Sequence, residues 1–264
     1  MHANTFDRYE ARPSFIHSLD PRVKVVVTVL FILSNVILPD GAWLAFLLSW
    51  AFILWVNILA DLRLDYAFKR SFIALPFALA AVTTVFTIPG DPIFSFQLGP
   101  WTLTATAPGL LRFTSILIRS WLSVQMAILL TATTQFPDLM HALRHLRVPS
   151  LLVAIISFMY RYLFVLVDEA MRLLRAREAR SARLSDRGGG SILWRAKVAG
   201  NMVGQLFLRS YERSDRVYNA MLARGYQGHF YTLNAHVMKS SDWLAALSAL
   251  LLIIFTQVIG YFIR

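Results

Sequence analysis

Residues 42–60 read AWLAFLLSWAFILWVNILA, an uncharged run in which only Ser49 and Asn57 are strongly polar. Hydrocarbon offers bare backbone no hydrogen-bond partner, so about 20 apolar residues in succession predict a helix that crosses a bilayer. Four other stretches are of the same kind: Val23–Leu38, Phe72–Ile88, Phe113–Thr133 and Trp243–Phe262. The first is short and begins beside Lys24, whose stem can reach the interface. The whole chain agrees, because 57% of its 264 residues are hydrophobic, more than a soluble surface tolerates. The expected fold class is all-α, a polytopic membrane protein of about five spans. The first twenty residues are polar and mixed in charge, so insertion is expected to start from the internal spans.

Lys and Arg accumulate on the cytoplasmic side of membrane proteins, which makes the connecting segments informative. Arg8, Arg12, Arg22 and Lys24 precede the first span. Arg63, Lys69 and Arg70 separate the second from the third, and His141, Arg144, His145 and Arg147 follow the fourth. These segments are expected to be cytoplasmic, the N-terminus included. Pro39–Gly41 and Pro89–Gly109 hold no Lys or Arg, only Asp40 and Asp91, and are expected outside. The prolines and glycines of 89–109 read as an irregular connector.

Leu151–Val167 is apolar, yet Arg161 lies inside it and arginines flank it. A crossing there would carry Arg172, Arg175, Arg177, Arg180 and Arg183 outward, so an interfacial or protein-packed helix is expected instead. Thirteen of the 26 basic residues fall between Arg161 and Arg224. Leu166, Ala170, Leu173 and Leu174 share one face of an amphipathic helix, broken at Gly188-Gly189-Gly190. A second long helix is expected from about Ile192 to Ala223. Its Ala196, Gly200 and Gly204 recur every four residues and leave a face that a neighbouring helix can approach closely. The organisation is therefore an N-terminal membrane domain over 1–134, a cytoplasmic helical domain over 135–228, and a linker with the last span over 229–264.

Catalytic groups are hard to find. The spans contain no histidine and no mid-span carboxylate, and the chain has no cysteine, which removes disulfides, thiolate nucleophiles and Cys-based zinc sites. Arg119 lies within the fourth span and reads as an arginine paired with a backbone carbonyl. His141 and His145 have metal-ligand spacing, but Arg144 and Arg147 beside them repel a cation. No Gly-x-x-x-x-Gly-Lys-Ser/Thr loop is present, since Gly188–Ser191 lacks the lysine. No metal site, cofactor, enzyme activity or nucleic-acid partner is expected. The charge of +11 points to anionic lipid and an acidic partner.

Two short triplets remain, Ala179-Arg180-Ser181 and Ala223-Arg224-Gly225, near the ends of the two amphipathic helices. Small neighbours leave each guanidinium free, and its planar fork suits a carboxylate on a partner. Val217, Ala220, Met221 and Arg224 fall on one stripe, as if an apolar patch were anchored by the arginine. Lipid headgroups would suit the same arginines.

Longer motifs surround these triplets. They are His17-Ser18-Leu19-Asp20-Pro21-Arg22-Val23-Lys24 before the first span, and Pro137–Leu139 with Ala142-Leu143, Leu146 and Val148-Pro149 after the fourth. Arg175–Ser181, and Tyr211-Glu212-Arg213 through Met221–Tyr226, complete the set. Together they resemble the transmembrane (T) component of energy-coupling factor transporters, most closely the cobalt-type CbiQ family. The resemblance implies a scaffold that holds a substrate-binding membrane subunit for a divalent metal ion, cobalt or nickel, against two cytoplasmic ABC-type ATPases. It implies that Arg180 and Arg224 bind acidic grooves on those ATPases. It also implies that ATP-driven motion passes through the helix crossing at Ala196, Gly200 and Gly204. Ala176-Arg177-Glu178 and Ala182-Arg183-Leu184 offer competing registers for the first triplet. The competing class is a stand-alone membrane carrier or enzyme, which needs polar groups converging inside the bilayer.

Overall fold

A computed structural model describes residues 9–74, 76, 80–98, 101–180, 191–228 and 238–262. The chain divides into two units, one made of residues 6–146 and 235–264, the other of 147–234.

In the first unit a short helix α1 (Phe15–Ser18) leads to α2 (Pro21–Ile37). The Asp20 carboxylate accepts the Arg22 N–H and Pro21 supplies a preset φ, so the start of α2 is fixed locally. It stops where Pro39 disfavours helical geometry in Leu38. After Gly41, at φ +83°, comes α3 (Trp43–Leu59). Asp61, at φ +53°, turns the chain into α4 (Leu64–Ser71). Phe31, Phe46, Phe52, Ile53, Leu122 and Leu129 form the centre of one core with Ala249 and Ile253.

The third expected span takes a different form. A 3₁₀ turn at Phe72–Ala74 follows α4, residues 76 and 80 are helical, Ala81-Val82 form a turn, and Thr83–Thr87 makes a further short helix, α5. The apolar composition of 72–88 therefore does not become one continuous helix. Residues 89–109 differ as well. In place of an irregular connector they hold an antiparallel hairpin, β1 (Pro92–Leu98) paired with β2 (Trp101–Thr106), with an irregularity between Pro92 and Phe94. Alternating β-branched and aromatic residues outweigh the flanking Pro and Gly that the sequence reading weighed most.

The long helix α6 (Ala107–Thr133) begins earlier than the apolar stretch that marks it, because Thr106 caps the Gly109 N–H and Pro108 sits in its first turn. Then come α7 (Phe136–His145), which packs on α2, and the last helix α10 (Ser240–Phe262), which packs on α2 and α3. Arg119 of α6 is neutralised rather than exposed to hydrocarbon. Its Nη2 donates to the Leu38 carbonyl at 2.6 Å and to the Asp40 carboxylate at 2.7 Å. Gln257 of α10 similarly donates to the Ser34 carbonyl, at 2.6 Å. Among the described residues three helices, Ala107–Thr133, Ser150–Arg180 and Ser240–Phe262, are long and apolar enough to cross a membrane, and Trp43–Leu59 is a shorter apolar one. The protein is an all-α polytopic membrane protein, with one small hairpin among its described residues.

His17 gives this unit a pH dependence. Burial, followed by the charge of Lys24, lowers its pKa below the ordinary 6.5. The folded state thus favours the neutral ring. Its contribution is complete above about pH 6.5, the unfolded value, and is lost as pH falls through the lower folded value. Thermal unfolding in detergent should show a Tm that declines below pH 6.5, and His17→Gln should flatten that part of the profile.

Candidate functional site

The second unit contains two long helices, α8 (Ser150–Arg180, 31 residues) and α9 (Ile192–Ala223, 32 residues). At 1.5 Å per residue each is about 45–50 Å long. They cross in antiparallel fashion. The N-terminal half of α8, through Ile155, Phe158 and Tyr162, faces the C-terminal half of α9, through Ser214, Val217 and Met221, across a cleft of about 820 Å³. Beyond the cleft the Arg209 guanidinium meets the Glu169 carboxylate at 2.6 Å, with Arg172 at 3.8 Å from the same group. Periodicity gave both helices but not this pair, whose partners are 40 positions apart.

This crossing decides where the two arginines lie. Arg180 closes α8 and Arg224 caps the C-terminus of α9, so antiparallel helices carry them to opposite ends of the pair. Measured from the Glu169–Arg209 bridge, Arg180 lies about 16 Å along one axis and Arg224 about 22 Å along the other. Their separation reaches up to about 40 Å, too far for one small ligand to touch both. Both side chains are exposed, and neither forms an ion pair with another described residue. Ala179 and Ala223 are exposed beside them, while Ser181 lies outside the described residues.

The end of α9 has a definite geometry. Gly225 takes φ +79°, its N–H donates to the Leu222 carbonyl at 2.9 Å, and the Tyr226 N–H donates to the Met221 carbonyl at 3.0 Å. This is a Schellman closure, in which a left-handed residue after the cap lets the chain turn back and satisfy the last carbonyls. Gly225 is thus required by the backbone as well as by steric clearance around Arg224. The closure also aims the arginine outward at the helix's negative end, where a cation is favoured.

The stripe of Val217, Ala220, Met221 and Arg224 divides. Val217 and Met221 line the cleft against α8, whereas Ala220 and Arg224 are exposed. The small-residue face of Ala196, Gly200 and Gly204 is also exposed, and nothing lies within 4 Å of a Cβ added at Gly200 or Gly204. The helix that could approach it is therefore not α8. Beside that face Val203, Phe207, Leu208 and Tyr211 are exposed too, so α9 has an apolar side that the described residues of its own unit leave uncovered.

His141 and His145 stack with ring centroids 4.5 Å apart, and the His145 Nδ1 lies 3.0 Å from the His141 carbonyl. Among the described residues no group of three or more His, Asp or Glu side chains is placed to hold a metal.

A family model, CbiQ, cobalt transport protein, matches residues 12–237, a range that includes both long helices and both arginines. The chain belongs to the CbiQ family. Among its relatives, an uncharacterized protein of Methanocaldococcus jannaschii is 27% identical over 241 residues, covering 90% of this chain and 80% of the relative. The energy-coupling factor transporter transmembrane protein EcfT of Lacticaseibacillus paracasei is 27% identical over 251 residues, covering 90% and 92%. That of Thermosediminibacter oceani is 29% identical over 238 residues, covering 86% of each chain.

In this CbiQ-family chain the sequence reading passed over Asp242. Its carboxylate accepts the Lys239 N–H at 2.7 Å at the start of α10 and the Asp20 N–H at 3.1 Å. A signal was available, since Ser240-Ser241-Asp242 directly before an apolar run has the composition of a helix start.

Proposed function

We propose that this chain is the transmembrane component of an energy-coupling factor importer in the cell membrane, with its N-terminus and α8–α9 on the cytoplasmic side. The observation that carries the proposal is the pair of exposed, ion-pair-free arginines at opposite ends of two crossed helices. Two separate sockets up to about 40 Å apart suit two copies of a partner better than one ligand. In this role Ala179-Arg180-Ser181 and Ala223-Arg224-Gly225 each enter an acidic groove of one cytoplasmic ABC-type ATPase. Closure of the ATPase pair changes the angle between α8 and α9. The uncovered face at Ala196, Gly200 and Gly204, with its apolar neighbours, carries that change to a substrate-binding membrane subunit. The cargo in this reading is a divalent transition-metal ion, cobalt before nickel, and what supports cobalt is the family's description as cobalt transport protein. The ion itself is held by that other subunit, and this chain contributes no catalytic step.

Arg180 offers a test of the socket chemistry. Arg180→Lys retains the charge but loses the planar, two-pronged donor set. Co-purification with the cognate ATPases should weaken by about tenfold, the scale of one charge-assisted hydrogen bond, while membrane insertion is unchanged. Equal binding by Arg180→Lys and wild type, with a loss at Arg177→Lys instead, would move the first peg to Ala176-Arg177-Glu178.

A further inference from the structure

Two carboxylates are almost sealed from solvent where α2 begins, Asp20 at 3% exposure and Asp242 at 2%. A buried carboxylate is tolerated when its oxygens are hydrogen-bonded. Both Asp242 oxygens are. One accepts the Lys239 N–H, which caps the first turn of α10, and the other accepts the Asp20 N–H, 222 positions away in sequence. Asp20 in turn caps α2 through the Arg22 N–H at 2.8 Å. In the same corner the Lys24 ammonium donates to the His17 carbonyl and to the Thr133 carbonyl, each at 3.1 Å. Thr133 is the last residue of α6.

The order of the chain gives this corner its importance. Residues 147–234 form the second unit, so the chain leaves the first unit a short way after Thr133 and α7, and it returns just before Lys239. The two places in the first unit that flank the α8–α9 unit in sequence, and so serve as its roots, are thus tied to the first turn of α2: the end of α6, one short helix before α8, through Lys24, and the start of α10 through Asp242. We infer that the Asp20–Lys24–Asp242 corner is a positioning element that fixes the roots of the coupling helices, and that Asp242 is the residue on which energy transfer depends. This rests on the function proposed above, because a fixed root matters only if the helices are driven. A loose root allows the end of α6 and the first turn of α10 to yield locally, and motion imposed on α8 and α9 is then absorbed there. Asp242 touches neither nucleotide nor cargo and acts through the helices it holds.

The test uses the whole complex in vesicles, with ATP hydrolysis and Co²⁺ uptake measured in parallel for wild type, Asp242→Ala, Asp242→Asn and Arg224→Glu. Both Asp242 variants should still co-purify with the ATPases and hydrolyse ATP within about twofold of wild type, while uptake per ATP falls about tenfold for alanine, the scale of one charge-assisted hydrogen bond. Asparagine, which keeps one acceptor oxygen, should fall less. An unchanged ratio, or hydrolysis and uptake falling in proportion, would show a purely structural role and overturn the inference. If alanine fails to insert, the asparagine ratio decides by the same criterion. Arg224→Glu separates the two levels. Normal uptake by that variant would remove the coupling role itself, whatever the Asp242 variants do, whereas its failure to bind ATPase leaves the Asp242 ratio as the measure of the corner alone.

Discussion

Arg224→Glu is expected to abolish association with the ATPase pair while leaving the chain inserted and folded. Arg224 is exposed at the C-cap of α9 and pairs with no other described residue, so its replacement removes nothing from the packed structure. In an acidic socket the substitution deletes a charge-assisted donor and places two negative groups together. Losing one partner of a buried interfacial pair costs about 2–5 kcal/mol, and the added repulsion puts the change at a hundredfold or more in dissociation constant. The glutamate also sits at the negative end of the helix, a further small penalty of about 0.3–1 kcal/mol. Co-purification of tagged ATPase and thermal unfolding of the isolated chain, run together, check both halves. Lost association with an unchanged Tm is the expected pattern. Undiminished association would remove Arg224 from the interface.

Gly109→Ala is expected to produce a large loss of stability for a single-methyl change in the first unit. A Cβ at Gly109 would lie 2.8 Å from both the Val85 carbonyl oxygen and the Thr106 hydroxyl, and 2.9 Å from the Thr84 carbonyl oxygen. Two of these three atoms are backbone of α5, which cannot swing aside as a side-chain end can. The added methyl must force α5 away from α6, with an overpacking cost of about 1–3 kcal/mol. That corresponds to a decrease of several degrees in Tm for a chain of this size. Gly200→Ala is the matched control. Open space surrounds Gly200, so the same methyl should be neutral or stabilise the isolated chain by up to about 1 kcal/mol through helix propensity. A larger residue at Gly200 should be harmless in the isolated chain and harmful in the complete complex, if a partner helix covers that face.

The functional elements were legible in the sequence to different degrees. The helix from Ile192 to Ala223 has the bounds that its periodicity and the Gly188–Gly190 break suggested, because local signals fix a helix that buries no residue completely. The Arg119 pairing was anticipated as to its carbonyl, since an arginine in hydrocarbon has few other ways to be satisfied. Its second partner, Asp40, was not anticipated. The role of Gly225 was visible only in part: the sequence shows a small residue that leaves Arg224 sterically free, but the two hydrogen bonds that make it a Schellman closure are a matter of coordinates.

Hydrophobic runs with few charges inside them determined, without any structure, that this chain lives in a bilayer as a bundle of helices with two long arginine-rich helices in addition. That much follows from the cost of unpaired backbone and of charge in hydrocarbon, which each segment meets by itself. Tertiary structure decided what depends on segments meeting: the break in 72–88, the pairing of β1 with β2, the antiparallel crossing that sends Arg180 and Arg224 to opposite ends, and the Asp20–Asp242 contact across 222 positions. Such contacts are set by which surfaces fit and which buried polar atoms find partners. A one-dimensional pattern records the need for a partner but not its address.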